Sequence, residues 1–199
     1  VHEAYHQRIS LSDYGFYKFP GLSFDKITGK GNAFLYYTQG AAVAEVSVSR
    51  WSGELKVRRV DILMDLGRPI NEALDLGQVT GGFIQGMGWV STEKLFYSPE
   101  GKLLSHSPST YKIPSIQDLP REFHVKLWPN KENRKNLRGT KAVGEPPLLL
   151  ALSVWTAAHD ALKNLPQFSR AYPHMELPAT QEELLRAISP TEFSRWERE

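Results

Sequence analysis

Lys141-Ala142-Val143-Gly144-Glu145-Pro146-Pro147, followed by Leu148-Leu149-Leu150, is the stretch around which the chain is organised. Pro146 and Pro147 lack backbone N–H donors and carry a near-helical φ, so they suit the first turn of a helix. Leu148 to Leu162 then runs long and apolar, and Asn164, Leu165 and Pro166 end it. Gly144 lets the chain bend just before that helix. Glu145 therefore sits at the helix mouth, where backbone dipoles favour an anion. A carboxylate fixed there and held toward its charged form has what a general base needs. An acid placed only to complement the dipole is the plainer reading of these residues taken alone.

Upstream, Asn71 to Lys94 is the second organising element. Leu74, Val79, Phe83 and Met87 recur at near-helical spacing. Gly77, Gly81, Gly82, Gly86 and Gly88 each cost about 1 kcal/mol against alanine in a helix interior. Tight packing or the close approach of a bulky ligand must offset a total near 5 kcal/mol. Gln78 and Gln85 lie among these glycines, and an amide that donates and accepts suits a polar ring edge or a pyrophosphate. The run lacks the spacing of a dinucleotide fingerprint.

The earlier strands are scaffold. Ala42, Ala44, Val46 and Val48 alternate with Val43, Glu45, Ser47 and Ser49. A Trp51-Ser52-Gly53 turn follows, then Leu55, Val57, Val60, Ile62 and Met64, which reads as an antiparallel hairpin. Tyr97 to Lys102 is a turn between short strands, and Phe123 to Leu127 alternates as a further strand. Pro129 to Thr140 reads as a solvated polar loop, and Thr180-Gln181-Glu182-Glu183 as a capping box opening a short helix to about Ile188. Residues 1–199 are expected to form a single α+β domain, antiparallel strands followed by helices, with residues 190–199 frayed.

Composition narrows the function classes. The 199 residues are 41% hydrophobic and 23% charged, which suits one sizeable globular core. No apolar run approaches the roughly 18 residues of a membrane span, and no signal peptide pattern opens the chain. A net charge of +2 points to neither nucleic acid nor a membrane surface. Zero cysteines exclude a disulfide, a thiolate zinc site or an iron–sulfur cluster within this chain. His2-Glu3-Ala4-Tyr5-His6 matches a zinc-protease pattern but lies at the very terminus, with no preceding turn to fix it as a helix; it is a chance match, and no metal ligands are assigned.

Four segments, in order, resemble the molybdenum hydroxylases, the xanthine dehydrogenase and aldehyde oxidase family. Asp75-Leu76-Gly77-Gln78-Val79-Thr80-Gly81-Gly82-Phe83-Ile84-Gln85-Gly86-Met87-Gly88 is similar to that family's cofactor-contacting helix. Pro108 to Pro114 and Leu177-Pro178-Ala179-Thr180 are similar to two further family segments, and Lys141 to Pro147 looks like the one carrying its catalytic glutamate. Coverage runs roughly from Tyr5 to Ile188, most similar to the C-terminal portion of the molybdenum-binding subunit of bacterial xanthine dehydrogenases. The resemblance implies the fold of the second molybdopterin-binding domain. It implies Glu145 as catalytic base, and Gln78, Gly81, Gly82 and Lys141 as cofactor-binding positions, with Gln85 structural. Where the family usually has Asn-Pro, this chain has Asn71-Glu72, which leaves the helix start intact and puts its angle in doubt.

The same resemblance implies molybdopterin as the cofactor and hydroxylation of a purine carbon with water as the oxygen source. It also implies 2Fe–2S clusters, FAD and NAD held elsewhere in a full cytoplasmic enzyme. The expected partners are the upstream part of the molybdenum subunit, an FAD/iron–sulfur subunit and a second copy of the full enzyme, with neither nucleic acid nor membrane. The family's Gly-Gly-Phe-Gly-Gly loop and its arginine and phenylalanine substrate clamps are missing, so the chain looks like a C-terminal domain or an excised fragment, inactive alone. An aldehyde or another N-heterocycle stays open as substrate, as does a non-catalytic interaction module.

Overall fold

The computed structural model describes residues 1–168 and 173–190. Where the sequence suggests one domain, the chain divides into two compact units, Val1–Tyr37 and Thr38–Glu199. The expected fraying of the C-terminal end falls almost wholly on residues 191–199, outside the described residues.

The first unit holds a five-residue helix, α1 (His2–His6), and a small hairpin of β1 (Ser23–Asp25) and β2 (Lys30–Asn32). Asp25 builds its turn, with Oδ1 accepting from the Ile27 amide at 2.8 Å and Oδ2 from the Thr28 hydroxyl at 2.7 Å. Every residue of β1 and β2 is exposed, so neither strand has an apolar alternation for a sequence reading to detect.

In the second unit, β3 (Gln39–Val48) and β4 (Leu55–Asp65) form the expected antiparallel hairpin. Its register slips between Glu45 and Val46, where Arg58 is the extra residue of a bulge. That bulge explains why the inward positions of β4 run Val57, then Val60, Ile62 and Met64. After β4 the chain passes through α2 (Glu72–Ser91) and returns as β5 (Glu122–Leu127), parallel to β4. The α+β reading holds, with a mixed sheet of order β3-β4-β5 in place of antiparallel pairing throughout. The parallel pair follows from the intervening helix, since a tight turn cannot join parallel strands.

One face of this sheet is covered. Val60, Ile62 and Met64 of β4 pack with Val79, Phe83, Met87 and Val90 of α2 and with Ala151 and Val154. Phe83 and Phe123 meet with ring centroids 5.5 Å apart. The opposite face is solvated and charged, with the Arg59 Nε 2.6 Å from Asp61 Oδ2 and His124 Nδ1 3.1 Å from Asp61 Oδ1. A second cluster joins Ala158 and Leu162 of α3 (Leu152–Lys163) to Leu184, Ala187 and Ile188 of α4 (Gln181–Ile188).

Two local expectations change. Thr180 caps α4 by accepting from the Glu183 amide at 3.3 Å, but Glu183 does not complete the box. Its carboxylate is buried, accepting instead from the Glu176 amide at 2.9 Å and from Arg186 at 2.6 Å. The Pro129–Thr140 loop is solvated as expected at its charges and at Leu137, but its three asparagines are half-buried. Asn130, Asn133 and Asn136 turn inward, bonding Asp65 Oδ2 at 2.8 Å, the Thr140 carbonyl at 2.7 Å and the Thr140 hydroxyl at 3.0 Å. Asparagine at every third position was the signal, because that amide competes well for backbone groups in loops.

Candidate functional site

The helix start at Asn71 is intact: its side-chain oxygen accepts from the Leu74 amide at 3.3 Å, and Glu72 occupies the first turn. Of the four periodic apolar residues, Val79, Phe83 and Met87 are buried, whereas Leu74 is 67% exposed. The helix turns a different face outward at its first two turns.

The five glycines of α2 divide into two groups. Gly82 and Gly86 face the stretch that follows Glu145. A Cβ at Gly82 would lie 3.2 Å from Pro147 Cβ, and one at Gly86 would overlap the Leu148 carbonyl oxygen. One at Gly88 would overlap Glu93 and Pro114. Gly77 and Gly81 have nothing within 4 Å of where a Cβ would stand. Packing of the Pro146–Ala151 segment therefore explains Gly82 and Gly86, contact with Glu93 and Pro114 explains Gly88, and two glycines are left on an open face, beside Gln78 and Gln85. Gly81 and Gly82 thus do different things.

Seated on Gly82 and Gly86, Pro146–Ala151 winds as a 3-10 helix before α3 takes over at Leu152. Its first turn is tight, with Leu148 N–H donating to the Glu145 carbonyl at 3.1 Å. The expected single helix from Leu148 is thus two segments in series, ending as expected at Asn164.

Glu145 stands just before the 3-10 segment, at φ −104° and ψ −37°, exposed, and its side chain caps no helix amide. A carboxylate serving only the helix end would reach back to those amides. This one makes no such bond.

Gln78 arrives beside it from the other element. A Cβ on Gly144 would lie 4.0 Å from Gln78 Oε1, so the amide comes near the residue before Glu145 across 66 positions of sequence. The side chains of Gln78 and Glu145 are both exposed, with no hydrogen-bond partner among the described residues. A polar pair aligned beside a bare helix face can receive an extended polar group. The residues present fit a pterin: Gln78 for its hydrogen-bonding edge, and Gly77 and Gly81 for its approach.

Lys141 is placed differently. Its ammonium lies 2.6 Å from Asp65 Oδ2, and the two side chains are only 10% and 13% exposed. Burial pushes the Asp65 carboxyl up, but hydrogen bonds from Lys141, the Gly67 amide and Asn130, together with the Lys141 charge, leave its pKa below the usual value. Sequence reasoning missed Asp65, an acid in an alternating strand next to others that are solvated. A cavity of about 510 Å³ between β4, the end of α2 and the 117–121 loop, lined by Leu55, Arg58, Met87, Thr92 and Arg121, includes none of the expected site residues.

The chain is 47% identical over 170 residues to xanthine dehydrogenase 1 of Arabidopsis thaliana, covering 82% of this chain and 12% of that protein. It is 41% identical over 187 residues to aldehyde oxidase 1 of Bos taurus, covering 92% and 14%. Among solved structures, the aldehyde oxidoreductase from Desulfovibrio gigas superposes with a TM-score of 0.64 at 29% identity, over 85% of this chain and 17% of that one. The chain thus spans only about an eighth of the curated relatives it matches. Residues 1–120, which include Gln78, Gly81 and Gly82, match the molybdopterin cofactor-binding domain family, and the chain belongs to that family.

Proposed function

We propose that this chain contributes one wall of the active site of a molybdenum hydroxylase, with Glu145 as the general base and xanthine or hypoxanthine as substrate. The observation that carries the reading is the approach of Gln78, on the open glycine side of α2, to Gly144, the residue before Glu145. When bound, the molybdopterin centre supplies the two-electron oxidation of a substrate carbon. Gln78 orients the pterin by hydrogen bonding, Gly77 and Gly81 let its rings approach the helix backbone, and Gly82 brings the Glu145 turn close to α2. The carboxylate of Glu145 takes the proton from the water-derived oxygen nucleophile as it attacks the carbon beside a ring nitrogen. Two prolines immediately after Glu145 restrict its backbone, so the base is held ready.

Electrons leave through 2Fe–2S clusters to FAD and NAD, all outside this cysteine-free chain. The partners are the remaining molybdenum-binding segments, an FAD/iron–sulfur part and a second copy of the enzyme, in the cytoplasm. The higher identity to a xanthine dehydrogenase than to an aldehyde oxidase supports a purine. An aldehyde substrate is the second reading, supported by the aldehyde oxidoreductase likeness.

Glu145→Gln in the complete enzyme tests the reading. Glutamine keeps size and one acceptor oxygen but cannot take the proton. Molybdenum content and melting temperature stay near parental, while kcat and kcat/KM fall together by roughly 10²–10⁴-fold. A fully loaded variant turning over above about a tenth of the parental rate refutes the base assignment. Comparing xanthine with an aldehyde on the parental enzyme decides the substrate.

A further inference from the structure

The segment that presents Glu145 is held from both sides, and the upstream hold is unusual. Between Lys141 and Glu145 stand only Ala142, Val143 and Gly144. Downstream, Pro147 and Leu148 rest on Gly82 and Gly86. Upstream, the Lys141 amide donates to the Leu66 carbonyl at 2.8 Å, and its ammonium reaches Asp65 Oδ2 at 2.6 Å. The Thr38 hydroxyl donates to the Ala142 carbonyl at 2.9 Å, and Val143 packs half-buried against the main core.

Asp65 is the centre of this hold. Its Oδ1 accepts from the Gly67 amide at 2.8 Å, and its Oδ2 accepts from both Asn130 and Lys141. One carboxylate at the end of β4 thereby gathers the 130 loop and the 141 turn. A largely buried ion pair is weak evidence for added stability, because desolvation consumes most of the attraction. Its better-attested use is to enforce one arrangement over near alternatives, since either charge left alone in that setting is costly. Here the alternatives are positions of a short turn that ends in a flexible glycine and a catalytic carboxylate.

We propose that Asp65 and Lys141 form a latch that positions Glu145, acting on the proton transfer without touching substrate or cofactor. The proposal rests on the assignment of Glu145 as the base, and it moves Lys141 from cofactor contact to positioning. Loss of the latch lets the turn shift, and a misplacement of about 1 Å costs about 100-fold in a pre-organised reaction.

The test compares Asp65→Asn, Glu145→Gln and the double variant in the complete enzyme, with Lys141→Gln as a second lesion of the pair. Turnover per bound molybdenum, KM, molybdenum content and hydrogen exchange of the 140–145 segment are read for each. Asp65→Asn is expected to lower kcat per molybdenum about 10- to 100-fold with KM and metal content near parental. Exchange at the Lys141 amide should rise, and Asp65→Asn should add no further loss to Glu145→Gln. Lys141→Gln, which removes the ion pair from its other side, should lower kcat by about threefold or more, so the proposal stays exposed even where Asp65→Asn does not fold. Parental turnover per molybdenum in Asp65→Asn, or in Lys141→Gln where that is the variant that folds, beside an inactive Glu145→Gln, overturns the latch and leaves the base assignment standing. An active, loaded Glu145→Gln overturns the base itself.

Discussion

Gly86 lies against the Leu148 carbonyl so closely that a methyl group on it would overlap that oxygen and stand 2.8 Å from Ala151 Cβ. This pair of residues sets how near α2 comes to the stretch carrying Glu145. Neither neighbour can yield cheaply, one being backbone and the other the stub of a buried alanine. Gly86→Ala is therefore expected to destabilise the protein by about 1–3 kcal/mol, beyond the roughly 0.5–1 kcal/mol that helix propensity returns. Gly81→Ala has open space and should gain that roughly 0.5–1 kcal/mol. Thermal unfolding of the two variants reads the opposite signs directly. In the complete enzyme the same Gly81→Ala should lower cofactor occupancy, because its methyl enters the face proposed to receive the pterin. Full occupancy would remove Gly81 from the site.

The Asp65–Lys141 pair carries a pH signature. The Asp65 pKa is depressed in the folded state, so its contribution is fully present above the unfolded carboxylate value of about 3.9. It is lost as pH falls through the folded value. Asp65→Asn should melt well below the parent at neutral pH, and the gap should narrow as pH is lowered toward about 3. A gap that stays constant over that range would show that the charge on Asp65 contributes nothing.

Glu183 tests how the C-terminal helix is held. Its side chain is 4% exposed and serves the Glu176 amide as well as Arg186. Glu183→Ala strips that amide of its acceptor and should cost about 1–3 kcal/mol. Thr180→Ala removes the cap alone and should cost about 1 kcal/mol. Chemical denaturation of both decides whether the buried acid or the cap matters more.

The isolated 199-residue chain should bind little molybdopterin and turn over no xanthine. Gln78, Gly81 and Glu145 are exposed along one open edge, and affinity collapses when most of a ligand's partners are absent. Metal analysis and a xanthine assay on the purified chain check this. Stoichiometric molybdenum with turnover would mean that the open edge is already a whole site.

Short-range chemistry settled much of this protein before any folding. The β3–β4 hairpin follows from alternation around a Ser-Gly turn, the α2 start from Asn71, and the end of α3 from Asn164 and Pro166. Lys141 to Pro147 and the glycine-rich run could be matched to a family because each is contiguous. What remained hidden depends on distance through space. That Gly82 and Gly86 pack while Gly77 and Gly81 stay open turns on which side of α2 meets the Pro146–Ala151 segment. The parallel placement of β5 depends on where α2 lies over the sheet. Lys141 and Asp65, 76 positions apart, are joined only when the end of β4 and the turn before Glu145 converge. A charge in sequence has no declared partner, and only the tertiary structure, by excluding water from both groups, makes that pairing obligatory.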